Sequence, residues 1–196
     1  SSGKDSPFNE FDDDWLQNEY TLPCLKPRIM FRDVTNRTNR RTVVAALAPP
    51  QVFVNHKAPY LLQPIGDESD EAFILGVLSS IPLDWYSRRL IETSLTFFIF
   101  NDLPIPRPKK EDFIYRKVVS LSGRLASPDD RFADWAKAVG TQYGPLAEDE
   151  KEDMIHELDA AVAHLYELSE SQLRHIFETF HVGWDYEDRL VSTLDH

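Results

Sequence analysis

Apolar residues fall into two patterns along this chain, and the change comes near residue 110. In the first half they arrive in short bursts. Residues 29–31 and 43–47 are runs of β-branched, aromatic and aliphatic side chains either side of a polar span of Asn, Arg and Thr. That composition predicts strand, loop, strand, because such side chains suit a half-buried pleated surface while Asn and Thr favour turns. Residues 52–54 and 60–62 read as two further short strands. The unbroken run 96–100 (TFFIF) reads as a central strand. Between them, Phe73, Ile74, Val77, Leu78 and Ile81, then Trp85, Leu90 and Ile91, follow helical spacing over residues 71–92. Asp67 or Ser69 supplies the N-cap, and Pro82 is expected to kink or split that helix.

The second half is helical throughout. Ile114, Val118, Leu121 and Leu125 recur at spacings of four, three and four, forming one apolar face. Ser127-Pro128 predicts an N-cap with proline at the first helical position, opening a short helix that Gly140 closes. A longer helix runs from about residue 148 to 167, and Ser169-x-x-Gln172 is a capping-box pattern for another. Three prolines at 104, 106 and 108 can continue neither helix nor sheet interior, so a boundary is placed there. The expected fold class is α+β: a small mixed or antiparallel sheet with a packed helix, then an all-helical part. The divisions are an irregular lead-in at 1–27, a first domain at 28–110 and a helical subdomain at 111–196. The opening Ser-Ser-Gly does not read as a native start, and the chain is expected to be a piece of something longer.

Charge sharpens this picture in one place. The chain carries a formal net charge of −12, most of it from residues 141–196, where fourteen acids face three bases. Residues 28–41 hold five arginines against the single acid Asp33. Charges farther apart than a Debye length of ~8–10 Å are largely screened, so an acidic tail does not cancel a basic loop. The loop therefore marks a surface for something negative. Cys24 is the only cysteine, which excludes an internal disulfide and fits a reducing cytoplasm. No apolar run approaches the ~20 residues that span a bilayer. No Gly-rich phosphate loop, Gly-x-Ser-x-Gly elbow or His-Glu-x-x-His motif occurs, and the six histidines form no cluster with carboxylates.

The segment RIMFRDVTNRTNRRT (28–42) followed by VVAALAP (43–49) resembles the specificity region of fused bacterial N6-adenine DNA methyltransferases. These include the single-chain type II (type IIG-like) restriction–modification enzymes with a TaqI-like specificity domain, and related phage-defence methyltransferases. APYLL (58–62), FILGVLSSIPLDWYSR (73–88) and NDLPIP (101–106) fit in the same order, and residues 157–180 fit more loosely. The resemblance implies a DNA target-recognition domain in a cytoplasmic bacterial enzyme. Its implied partners are double-stranded DNA and an N-terminal methyltransferase domain of the same chain. S-adenosylmethionine, with magnesium as a further candidate, would belong to that parent enzyme. The catalytic Asn/Asp-Pro-Pro-Tyr/Phe tetrapeptide is absent, Ala48-Pro-Pro-Gln51 being a poor match, and no cofactor-binding Gly-rich turn is present. No catalytic residue, metal ligand or cofactor is therefore expected in this piece.

The residue types agree with that reading. Arg and Asn are the usual bidentate readers of guanine and adenine edges, and arginines at strand ends suit phosphates. The expected DNA-binding set is Arg28, Arg32, Asn36, Arg37, Asn39, Arg40, Arg41 and Lys57. The competing reading pairs these arginines with Asp33 or the acidic tail, out of reach of DNA. A second function class is an acidic helical module for protein–protein assembly.

Overall fold

The computed structural model describes residues 12–62 and 66–196, and the fold is α+β. Strand β1 (Arg28–Phe31) pairs antiparallel with β2 (Ala45–Ala48), with Arg28 opposite Ala48 and Phe31 opposite Ala45. The loop between them is the basic one. On the other side of β1, Phe31 N–H donates to Pro59 O and Leu61 N–H to Ile29 O. This contact stays a single bridge, Met30 to Tyr60, rather than the strand expected at 60–62. Pro59 cannot donate, which stops the ladder there. The strand expected at 52–54 does not form either, and Phe53 is 78% exposed.

Residues 96–100 correct the largest error of element type. They form not a central strand but a short helix, α4 (Phe97–Asn101), after α1 (Asp13–Gln17), α2 (Glu68–Ser79) and α3 (Ile81–Ser87). Thr96 caps α4, its hydroxyl accepting from Ile99 N–H. Phe97 and Phe98 are exposed, whereas a central strand would bury them. The expected helix over 71–92 begins earlier, at a capping box between Asp67 and Asp70, and divides at Ser80. Ser80 Oγ caps α3, and Pro82 sits in the first turn, where a missing N–H costs nothing.

The remaining helices are α5 (Phe113–Leu125), α6 (Ala133–Val139), α7 (Glu148–Leu165), α8 (Glu170–Phe180) and α9 (Glu187–Asp195). The capping box at Ser169 and Gln172 is present in both directions. Ser127 is not the N-cap expected of it: its hydroxyl donates back to Gly123 O, and Asp129 caps the turn that leads into α6. Helix α9 falls within the expected helical subdomain, in a stretch where no separate element is placed from the apolar pattern.

One apolar core joins the sheet to the helices across the proline segment. It includes Ile29, Phe31 and Leu47 from the strands, Val77 and Leu78 from α2, Val118 and Leu121 from α5, and Leu158 and Val162 from α7. A second cluster forms around Ile81, Leu173, Phe177, Phe180 and Leu190. Buried Glu71 ties the first core together, its carboxylate accepting from Trp135 Nε1 at 2.7 Å and Ile29 N–H at 3.3 Å. Burial pushes that carboxyl above its usual range. Helices α2 and α5 meet at Gly76, where an added Cβ would lie 2.8 Å from Val118 Cγ1 and 3.1 Å from Ser122 Cβ. Gly76→Ala gains about 1 kcal/mol of helix propensity. Overpacking against a stiff β-branched neighbour costs about 1–3 kcal/mol. We expect a net loss of stability in urea titrations, and a stabilised variant would show that α2 and α5 can separate freely. No described helix is long and apolar enough to cross a membrane.

Candidate nucleic-acid interface

The loop between β1 and β2 is held from inside by charged groups. Asp84, on α3, is fully buried. Its carboxylate accepts from Thr42 N–H at 3.1 Å and from Val43 N–H at 3.1 Å, and pairs with Arg41 Nε at 2.7 Å. Arg41 Nη2 also donates to Ser79 O at 2.7 Å, on the last residue of α2. One turn after Asp84, Arg88 donates to three loop carbonyls: Arg37 O at 3.0 Å, Asn39 O at 2.9 Å and Arg40 O at 2.6 Å. Its guanidinium lies 4.0 Å from the centre of the Phe180 ring and 3.8 Å, by Nε, from Asp84. Burial and nearby Arg41 disfavour the Arg88 charge, and Asp84 supports it.

The loop's own polar side chains complete the frame. Asn36 Oδ1 accepts from Thr38 N–H at 2.9 Å, an Asx turn. With its amide oriented to accept, Asn39 Oδ1 takes Asn36 N–H at 3.1 Å and Arg32 Nη2 at 3.2 Å. Arg32 donates to Arg41 O, and the buried Thr35 hydroxyl donates to Thr42 O. Residues 33–35 are tied to 93–95 through Thr35 N–H to Thr93 O and Leu95 N–H to Asp33 O.

The eight expected contact residues are thus divided by the fold. Arg28 is 5% exposed, donates to Val52 O at 2.6 Å and stacks over Tyr60. Arg32, Asn36, Asn39 and Arg41 are engaged within the frame. Lys57 is exposed and reaches Asp33 at 3.5 Å. Arg37 and Arg40 are exposed, and their side chains make no hydrogen bond or ion pair among the described residues. Of the five loop arginines only Arg41 pairs with an acid among the described residues, and that acid is Asp84, not Asp33 or the tail.

Asp84 and Arg88 are absent from the expected set, yet the sequence contains a signal for them. Positions 77, 78, 81, 84 and 88 form the buried stripe of α2 and α3, and a charge on such a stripe demands a partner. Arg88 reads from sequence alone as compensation for the helix C-terminus. Its neighbour Arg89 does sit that way, donating to Trp85 O and lying over the Trp85 ring.

Residues 48–51, the stretch nearest in sequence to the catalytic tetrapeptide, run from the end of β2 into a turn. Ala48 ends β2 fully buried, and Gln51, at φ 62°, turns its N–H to Cys24 O. That stretch is a tight turn rather than a catalytic tetrapeptide. Among the described residues no group of three His, Cys, Asp or Glu is placed to hold a metal ion. No protein-family model matches the chain, and neither a curated protein nor a solved structure matches it.

Proposed function

We propose that this chain is a DNA target-recognition module that meets duplex DNA through the loop around residues 35–42. Methylation at adenine N6, with its S-adenosylmethionine, is assigned to a catalytic part of the same protein, and the setting to a bacterial restriction–modification or phage-defence system. One observation carries the reading. The loop's backbone is fixed from inside through Asp84 and Arg88, while the Arg37 and Arg40 side chains are exposed and unpaired among the described residues. Fixing a backbone while leaving cationic forks free suits recognition of phosphates and base edges. The sequence resemblance carried by residues 28–49 supports the same function.

Two arginines, with the exposed Lys57 as a third cation, predict two or three phosphate contacts. Binding of the chain to a pool of random duplexes should then weaken about ten- to forty-fold between about 50 and about 200 mM salt. Fluorescence anisotropy at the two concentrations measures this. No binding at the lower salt would overturn the proposal.

A further inference from the structure

The sheet has an edge whose main chain takes no hydrogen-bond partner among the described residues, with Ala45 and Ala46 reaching the surface and Leu47 largely buried. Arg32 N–H donates to Val44 O across the strand pair. By alternation, Met30–Ala46 and Arg28–Ala48 are the other ladder-bonded pairs. Ile29 and Phe31 turn their main chain the other way, to Leu61 and Pro59. On β2, Ala45 and Leu47 therefore direct their N–H and C=O groups away from β1, and neither takes a hydrogen-bond partner among the described residues. The opening is bounded at both ends. Val43 N–H, which also points outward, is held by Asp84, and Pro49 has no N–H to offer.

Beside this edge lies a notch of about 270 Å³, lined by Leu75 and Ser79 of α2, Leu125 of α5, Phe132 and Leu158 as well as the strand itself. None of its lining residues is charged, on a chain of net charge −12. Natural sheets blunt an open edge with charge, proline or a bulge, and residues 45–48 contain none of these.

We propose that β2 is a docking edge for a single extended polypeptide segment of a partner, uncharged at the alternate positions that enter the notch. Two outward N–H groups and two outward carbonyls, two residues apart, match an extended main chain. The neutral, apolar lining selects the side chains. A second copy is the wrong shape, because it presents the same recess and two recesses do not meet. The inference stands apart from the DNA reading.

The test uses the whole chain and an acetylated, amidated Thr-Val-Thr-Val-Thr peptide as probe, followed by amide exchange and chemical shifts. In the free protein the Ala45 and Leu47 amides should exchange faster than the ladder-bonded Ala46 amide. Peptide should shift and protect the first two. Ala45→Pro removes an outward N–H and no ladder bond, and should weaken binding about tenfold. Ala126→Lys places a charge in the notch with the ladder intact and should act likewise. No shift at millimolar peptide, or equal binding by both variants, overturns the proposal. So does a concentration-dependent dimer abolished by Ala45→Pro, which would give the edge to a second copy.

Discussion

Replacing Asp84 by alanine should cost about 3–5 kcal/mol of stability, the loss typical when one member of a buried ion pair is removed. The carboxylate is fully buried and serves four donors or cations at once: the Thr42 and Val43 amides, Arg41 and Arg88. Without it the Arg41 and Arg88 guanidinium groups lose their shared counterion and repel each other, with burial already opposing the Arg88 charge. The two amides lose their acceptor as well. Urea unfolding measures the loss, and amide exchange over residues 36–42 shows where it falls. Asp84→Asn should lose less, since a carboxamide oxygen still accepts from Val43 N–H. A cost below about 1 kcal/mol for alanine would mean that the loop is held by other contacts, and Asp84 would drop out of the account.

The double charge reversal Arg37→Glu with Arg40→Glu should do the opposite. Both side chains are exposed and make no hydrogen bond or ion pair among the described residues, so stability should change by no more than about 0.5 kcal/mol. DNA binding should collapse. If the pair contacts phosphates, neutral replacement by glutamine should reduce the slope of log affinity against log salt by about 2. If one of them reads a base edge, its replacement costs about 1–3 kcal/mol on the preferred sequence alone and leaves random duplexes less affected. Anisotropy with selected and random duplexes separates the two roles. Unchanged binding by the reversed protein would remove the loop from the proposed function.

The contrast between these two experiments shows where sequence reading succeeds. The strands at 28–31 and 45–48 follow from apolar runs either side of turn-forming residues, and the helices from α5 to α8 from apolar residues recurring at helical spacing. The run 96–100 misleads because five consecutive apolar residues carry no period. Its type is decided by the Thr96 cap, and its exposure by neighbours remote in sequence. Helix α9 contributes Leu190 and Thr193 to the interior, too few buried positions to announce themselves. At the candidate site, the sequence marks a basic loop but cannot say which arginines turn inward. That depends on Asp84 and Arg88, about fifty residues downstream, and on Phe180 behind them. Residue type gives the chemistry, and only the tertiary contacts sort frame from surface.

Arg88 grips the loop through the carbonyl oxygens of residues 37, 39 and 40. Every amino acid carries that oxygen. The clamp is therefore indifferent to which side chains stand at 37 and 40, and those positions can be exchanged without rebuilding what holds them. Such a socket lets the outward surface of the loop change while its frame stays the same, and under the proposed function that would refit one scaffold to a new target sequence.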